Sequence, residues 1–200
     1  MSPLQLNQFS PLRQYRPVFK PITAHFLPGK FYHIRGENGV GKSTLLKTLA
    51  GLYETYDGQL YSGIEPNEIM YFYDTPVMRE DWTVLEGLEF YAKIDEVKLS
   101  PQLIEQIMMQ LKLHLIFQNK MSQISLGQLK RIYMSRLIFR NSAKLWLLDE
   151  PISSLDITGV KILNHLIHLY LNRGGMVIAT GHHTQFEHVS ETIDLKSGWA

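Results

Sequence analysis

Residues 36–43 read Gly-Glu-Asn-Gly-Val-Gly-Lys-Ser, a spacing of glycines and one lysine that suits phosphate binding. Glycines let the backbone curl so that its amides face phosphate oxygens, and a helix beginning at the end of the loop adds partial positive charge. We expect Lys42 to reach the β- and γ-phosphates of a nucleoside triphosphate, and the hydroxyl of Ser43 to bind Mg²⁺. The residues expected around the nucleotide here are Glu37, Asn38, Gly39, Val40, Gly41, Lys42, Ser43 and Thr44.

A second chemical group lies at residues 144–150, where a lysine and four apolar residues are followed by Asp149 and Glu150. A buried strand that ends in two carboxylates is what a Walker B element needs, because the strand fixes where its tip points. We expect Asp149 to hold Mg²⁺ through its water shell and Glu150 to orient or deprotonate the attacking water. A solvated acidic turn would look similar by itself, but the phosphate-binding pattern upstream favours the catalytic interpretation.

The surrounding pattern predicts strands that alternate with helices. Strands are predicted at 4–9, 22–26 and 31–35 before the glycine-rich loop, and a helix at 43–52 after it. Apolar runs predict further strands at 69–73, 145–148 and 176–179. A helix that Asp156 could cap separates the last two strands. This alternation predicts an α/β fold with a largely parallel core sheet.

Residues from about 84 to 140 carry helical signals only. Thr83 and Glu86 have capping-box spacing, Ser100-Pro101 offers an N-cap, and 127–140 has apolar residues at helical spacing. We therefore expect one domain over residues 1–200, with an inserted helical subdomain at about 77–140.

Composition narrows the possible functions. The chain of 200 residues has no cysteine, which excludes disulfides and thiolate metal sites. Twenty basic and nineteen acidic side chains give a net charge of +1, so no nucleic-acid partner is expected. Apolar runs are far below the ~18 residues of a membrane span, and the N-terminus lacks the pattern of a secretory signal. Any role at a membrane would need a partner.

Together, these motifs resemble those of the ATP-binding cassette (ABC) ATPases, in the order typical of that family. Residues 124–128, Ile-Ser-Leu-Gly-Gln, are similar to the LSGGQ signature. Residues 153–156, Ser-Ser-Leu-Asp, resemble the D-loop, and 180–182, Thr-Gly-His, resemble the switch-histidine segment. The resemblance implies a P-loop NTPase fold with an N-terminal antiparallel β subdomain beside the parallel core.

The resemblance also implies an ATP sandwich, in which the P-loop of one protomer and the signature of a second close on one nucleotide. Ser125, Gly127 and Gln128 would then contact the γ-phosphate across the interface, with Asp156 beside them. His182 would contact the γ-phosphate and help to hold the attacking water. The implied cofactors are ATP and Mg²⁺.

Three positions depart from the family pattern. Leu126 replaces the first glycine of the signature. The glutamine expected after strand 69–73 is absent, and either Thr75 or Asp74 could offer an oxygen to a metal-bound water. For the aromatic residue that stacks on adenine we choose Tyr15, although Arg13 could stack instead.

The family resemblance implies that the chain binds integral membrane transporter subunits. It also implies that the chain lies on the cytoplasmic face of the inner membrane. Within the family, the sequence is most similar to the haem-export ATPases of cytochrome c maturation. Two alternatives stay open. One is a cassette that moves no solute and serves iron-sulfur assembly, DNA repair or translation. The other is a regulatory cassette that binds ATP without hydrolysing it, which Leu126 and the missing glutamine would suit.

Overall fold

The computed structural model describes residues 4–74, 78–181 and 185–198. By its contacts the chain divides into two compact units. The first unit comprises Met1–Asp74, Ala143–Pro151 and His168–Ala200, and the second comprises Thr75–Ser142 and Ile152–Ile167. The segment predicted as helical belongs, by its described residues, to the second unit.

Nine strands and six α-helices are present in the described residues. In chain order they are β1 (Leu4–Arg13), β2 (Arg16–Pro17), β3 (Ile22–Phe26), β4 (Phe31–Arg35), α1 (Lys42–Leu49), β5 (Tyr56–Tyr61), β6 (Ile69–Phe72), α2 (Val84–Ile94), α3 (Pro101–Gln110), α4 (Leu126–Tyr133), α5 (Ser135–Phe139), β7 (Leu145–Leu148), α6 (Ile157–Asn172), β8 (Met176–Thr180) and β9 (Glu191–Asp194). Two short 3₁₀ helices cover Pro66–Glu68 and Met121–Gln123.

A five-stranded parallel sheet forms the centre of the first unit, with strand order β6-β7-β8-β4-β9. The strands β7 and β8 are buried at every position, which explains why they read as unbroken apolar runs. Because all five strands are parallel, the carboxyl ends of β4, β7 and β8 lie at one edge of the sheet. The sequence predicted this parallel core, and the fold confirms it.

The second sheet of this unit is antiparallel. β1 pairs with β2, β3 and β5, and its register shifts between Leu6 and Phe9 where it faces β3. The apolar faces of Phe9 and Phe26 from this sheet, Leu45 from α1 and Ile178 from the central sheet join one hydrophobic core. The antiparallel sheet, α1 and the central sheet therefore pack together in the first unit.

Helices build the second unit, and their first turns follow the predicted caps. The Thr83 hydroxyl accepts from the backbone N–H of Glu86, and the Ser100 hydroxyl accepts from that of Leu103. The segment predicted as one helix at 127–140 is two helices, α4 and α5, which meet at Met134. Among the described residues, no helix is long and apolar enough to cross a membrane.

Candidate nucleotide-binding site

The glycine-rich loop joins the end of β4 to the first turn of α1. Gly41 caps the helix with φ of 110°, and Gly39 has φ of 79°, backbone angles that a residue with a Cβ rarely adopts. A Cβ at Gly41 would also clash with the side chain of Val18. The first N–H groups of an α-helix cannot bond within that helix, so the start of α1 offers backbone donors to an anion.

Lys42 lies over this loop. Its ammonium Nζ donates to the carbonyl oxygens of Gly36, at 2.9 Å, and Glu37, at 3.2 Å. The side chain is buried, so its charge is directed into the loop rather than into bulk solvent. This arrangement places a cation beside the amides that begin α1, where phosphate oxygens would be held.

Asp149, which follows β7, is held by three hydroxyl groups. Ser43 donates to Oδ1 at 2.9 Å, Thr180 donates to the same oxygen at 2.8 Å, and Tyr71 donates to Oδ2 at 3.1 Å. The carboxylate is buried, and its backbone N–H bonds the carbonyl of Phe72 in the neighbouring strand. Ser43 and Asp149, predicted from separate motifs, are therefore adjacent.

Sequence reasoning missed Thr180 and Tyr71 as partners of Asp149. Tyr71 belongs to an apolar run that reads as a buried strand, β6. Thr180 was read only as the start of the switch-histidine segment, and in the structure it is the last residue of β8. One signal was available for Thr180, because a hydroxyl residue at the carboxyl end of a parallel strand lies at the same edge as the P-loop. Nothing in the sequence distinguishes Tyr71 from a core aromatic residue.

Glu150 has a left-handed backbone, with φ of 44°. Its N–H donates to the Thr180 hydroxyl at 3.0 Å, and this bond helps to hold the unusual conformation. Such strain in a non-glycine residue is commonly found at active sites, where the surrounding structure fixes a side chain in a required direction. The half-buried Glu150 thus lies directly beyond a fixed Asp149.

A cavity of about 400 Å³ adjoins the P-loop. It is lined by Arg13, Gln14, Arg16, Val18, Glu37, Asn38, Gly39, Val40 and Ser197. Tyr15, our choice for the adenine contact, is 94% exposed at the turn between β1 and β2 and does not line this cavity. Arg13, the alternative, does line it.

In the second unit, the signature-like segment begins α4. The Ser125 hydroxyl accepts from the N–H of Gln128 at 3.2 Å, and the Gln128 side chain accepts from the N–H of Ser125 at 2.9 Å. A Cβ at Gly127 would lie 3.0 Å from the carbonyl oxygen of Ser154, so this glycine allows the D-loop-like segment to approach. Leu126 is 70% exposed.

Asp156 connects two elements of the second unit. One of its carboxylate oxygens accepts from the N–H of Gly159 at 2.7 Å, which caps α6 as predicted. The other lies 3.4 Å from the guanidinium of Arg131 in α4. The signature-like helix and the D-loop-like segment are therefore joined by an ion pair as well as by backbone contact.

Three predicted positions remain. His182 and Thr75 lie outside the described residues. Asp74 is exposed, two residues beyond the end of β6. Within the first unit the structure therefore brings together Lys42, Ser43 and Asp149, with Glu150 next in the chain.

A phosphate-binding loop at the edge of a parallel sheet, with its serine hydrogen-bonded to a carboxylate from a neighbouring strand, defines a P-loop nucleotide-binding protein. The family model described as ABC transporter matches residues 19–153. The chain therefore belongs to the ABC transporter family, as an ATP-binding and ATP-hydrolysing subunit.

The curated relatives extend this likeness over most of the chain. The Haemophilus influenzae cytochrome c biogenesis ATP-binding export protein CcmA is 32% identical over 188 residues, which cover 90% of this chain and 88% of that protein. The CcmA protein of Vibrio vulnificus is 31% identical over 205 residues, which cover 98% of this chain and 99% of the relative.

Solved structures share the fold. A Pyrococcus furiosus protein described as an ABC-transporter ATP-binding protein superposes with a TM-score of 0.82 at 24% identity, covering 97% of this chain and 98% of that one. A nucleotide-free cassette from an ABC transporter superposes with a TM-score of 0.77 at 22% identity, covering 99% of this chain and 89% of that one. At this identity the likeness establishes the P-loop NTPase fold alone.

Proposed function

We propose that this chain hydrolyses ATP with Mg²⁺ in a sandwich with a second cassette, and that this drives export through separate membrane subunits in cytochrome c biogenesis. The observation that carries the proposed chemistry is the Ser43 hydroxyl bonded to Asp149 at 2.9 Å, with Glu150 next in the chain. The export role is supported by the names of relatives that are 31–32% identical over nearly the whole chain. The cargo implied by the sequence resemblance is haem.

Phosphate binding falls to the loop residues, from Glu37 to Thr44. Lys42 now bonds two loop carbonyls, and a triphosphate would offer its ammonium stronger, anionic acceptors. The amides that begin α1 would bind the remaining phosphate oxygens, and the helix dipole would favour their negative charge. The loop thus binds a triphosphate mainly through backbone groups.

The side-chain oxygen atoms of Ser43 and Asp149 suit Mg²⁺, which prefers oxygen ligands and keeps several waters. The Ser43 hydroxyl would bind the metal directly, and the Asp149 carboxylate would accept from its waters. Asp74 is a further oxygen donor from the sequence analysis. When bound, Mg²⁺ would supply positive charge that offsets the charge on the β- and γ-phosphates.

Glu150 would act as the general base. Its carboxylate would accept a proton from the water as the water oxygen bonds to the γ-phosphorus, and the bond to the β–γ bridging oxygen breaks to release ADP. His182 would hold the γ-phosphate and the attacking water, as the family resemblance implies. The bond from the Glu150 N–H to Thr180 fixes the backbone from which this base projects.

The second cassette would complete the site. In the Ser125 cap the hydroxyl oxygen accepts a hydrogen bond, so its own proton is still available to donate to a γ-phosphate. Gly127, Gln128 and Asp156 would lie in the same contact. We place the pair of cassettes on the cytoplasmic face of the inner membrane, bound to integral membrane subunits.

To test the transport role, a tagged Glu150→Gln chain is isolated from detergent-solubilised membranes of the native host with ATP and Mg²⁺, and copurifying proteins are identified by mass spectrometry. We expect a multi-span membrane protein, because slow hydrolysis prolongs the closed state. Lys42→Ala is the matched control, and its loss of ATP binding should reduce ATP-dependent recovery. Recovery of soluble partners alone, with none of the chain in the membrane fraction, would contradict the transport role.

A further inference from the structure

The cavity beside the P-loop is the place where a bound nucleotide would extend beyond its phosphates. Four of its lining residues belong to the loop, Glu37 to Val40, while Lys42, Ser43 and Asp149 do not line it. Phosphates held by the start of α1 therefore leave the ribose and base for this cavity. Two arginines of the β1–β2 hairpin line the same space.

No aromatic ring is among the residues that line this cavity, within the part of the chain that the structure describes. The nearest aromatic candidate in sequence, Tyr15, is exposed at the hairpin turn. Both turn residues, Gln14 and Tyr15, have positive φ, of 51° and 61°. That geometry matches a two-residue turn of the primed type, which fixes the register of the two strands.

This register makes Arg13 and Arg16 directly opposed partners. Opposed residues of an antiparallel pair project from the same face, so the two guanidinium groups share one side of the hairpin. Like charges at such positions repel each other, and the electron-rich face of a planar ring attracts both cations. Glu37 lines the same cavity, and its carboxylate disfavours a further phosphate there. A neutral, electron-rich planar group suits this combination better.

We infer that Arg13 and Arg16 bind the nucleobase, with guanidinium planes stacking on it where the family uses an aromatic ring. Guanidinium groups are planar and stack on π systems, which an ammonium cannot do in the same way. Stacking depends on the face of the base and little on its edges, because every base has a π face. The chain therefore accepts GTP as well as ATP.

This inference rests on the proposed nucleotide site, and calorimetry on the full chain tests both. The probes are ATP, GTP and inorganic tripolyphosphate, each with Mg²⁺. For the unmodified chain we expect Kd values for ATP and GTP within about threefold of each other. The double variant Arg13→Ala/Arg16→Ala should weaken both nucleotides about tenfold or more, and leave tripolyphosphate within about twofold.

Two further variants sharpen the test. Arg13→Lys/Arg16→Lys keeps both charges without the planar groups and should not restore nucleotide affinity. Arg173→Ala removes an exposed arginine elsewhere in the first unit and should change no Kd. Circular dichroism melting checks that each variant is folded.

Several results would overturn the inference. One is a loss of tripolyphosphate affinity in the double alanine variant that matches its loss of nucleotide affinity. Others are full nucleotide affinity in the double lysine variant, or a preference of the unmodified chain for ATP over GTP above about thirtyfold. A loss of nucleotide binding in Tyr15→Ala, in place of the arginine variants, would also do so. ATP binding that is normal in the double variant would also overturn it, and would leave the proposed function intact. An unmodified chain that binds neither ATP nor tripolyphosphate would overturn the proposed function itself.

Discussion

Three hydroxyl groups from separate segments of the chain converge on the carboxylate of Asp149. Ser43 comes from the P-loop, Tyr71 from β6 and Thr180 from β8. A buried carboxylate needs such bonds, because an ionised group left without partners in the interior costs several kcal/mol. The bonds therefore stabilise the first unit and also fix the oxygens that we propose for the metal's water shell.

The Thr180 hydroxyl makes two hydrogen bonds, because it donates to Asp149 and accepts from the N–H of Glu150. We predict that Thr180→Val, which keeps the shape and removes both bonds, lowers the free energy of unfolding by about 1–3 kcal/mol. ATP turnover should fall at least about tenfold, because Glu150 loses its backbone anchor. Urea unfolding and steady-state ATP hydrolysis provide the measurements.

Thr180→Ser is the matched control because it keeps the hydroxyl, and its turnover should stay within about threefold of the unmodified chain. A valine variant with full turnover would show that Glu150 does not depend on this bond. Tyr71→Phe removes the single bond to the other oxygen of Asp149 and should have a smaller effect on turnover.

The site residues divide by how the sequence encodes them. Ser43 and Asp149 could be predicted because each belongs to a motif whose spacing is set by backbone geometry, and the structure places them in contact. The roles of Thr180 and Tyr71 could not be predicted, because they depend on the order of the strands in the sheet, which a single sequence does not show. The base contact was ambiguous for the same reason, since the hairpin register decides which side chains line the cavity.

At the scale of elements, the start of α4 combines a structural and a proposed functional role in Ser125. The residue caps the helix through a reciprocal pair of bonds with Gln128. A cap of this kind contributes about 1 kcal/mol. Separating the two roles requires a substitution that preserves the cap and changes the charge.

Ser125→Asp provides that separation, because aspartate caps helices as well as serine does. We predict an unchanged free energy of unfolding but a loss of ATP turnover, since the added carboxylate would repel a γ-phosphate presented by a second copy. Ser125→Ala should instead lose about 1 kcal/mol of stability. Urea unfolding and ATP hydrolysis measure the two effects, and full turnover in the aspartate variant would rule out the proposed phosphate contact.

The second unit also contains an ion pair whose burial predicts its energetic importance. Arg136 of α5 bonds both oxygens of Asp95 at 2.7 and 2.9 Å, and the Asp95 side chain is only 2% exposed. Although burial of Arg136 opposes its charged form, the hydrogen bond and charge of Asp95 raise its pKa overall. The guanidinium also lies near the rings of Tyr91 and Tyr133.

We predict that Arg136→Ala costs about 3–5 kcal/mol in the free energy of unfolding, because it leaves the Asp95 carboxylate buried without its partner. Arg79→Ala is the matched control, since the Arg79–Asp81 pair is 66% and 62% exposed. Its loss should leave the free energy of unfolding almost unchanged, because solvent screens both charges. Chemical unfolding of the two variants makes the comparison, and equal losses would contradict this assignment.

Element prediction succeeded where local signals are strong. Capping residues such as Thr83 and Ser100 predicted helix starts, and unbroken apolar runs predicted β7 and β8. Strands β5 and β9 were missed because most of their residues are exposed and they lack an apolar alternation. Their positions depend on pairing with β1 and β4, a long-range interaction that local sequence does not encode.

For the whole molecule, the proposed sandwich requires two copies to meet around ATP. That contact would be formed by the start of α4, with Leu126 and Gly127, and by the D-loop-like segment, with Asp156. Two exposed apolar side chains, Leu126 and Ile157, belong to this region of the second unit and would be covered in the pair. Burying exposed apolar surface favours association.

We therefore predict that Glu150→Gln with ATP and Mg²⁺ doubles the molar mass measured by light scattering, and that the chain without nucleotide is monomeric. Adding Gly127→Val should prevent the doubling, because its side chain would displace the segment at Ser154. Lys42→Ala, which should not bind ATP, is the control for nucleotide dependence. Doubling that is independent of ATP would contradict the sandwich.

Cleavage of bound ATP in a single turnover tests the central proposal most directly. The chain is mixed in excess with γ-labelled ATP and Mg²⁺, and the release of labelled phosphate is followed for the unmodified chain and for Glu150→Gln. We predict that both bind ATP with the same affinity and that cleavage by the glutamine variant is at least about a hundredfold slower, because the base is lost. Equal cleavage rates would contradict the role of Glu150, and an unmodified chain that binds ATP without cleaving it would contradict hydrolysis at this site.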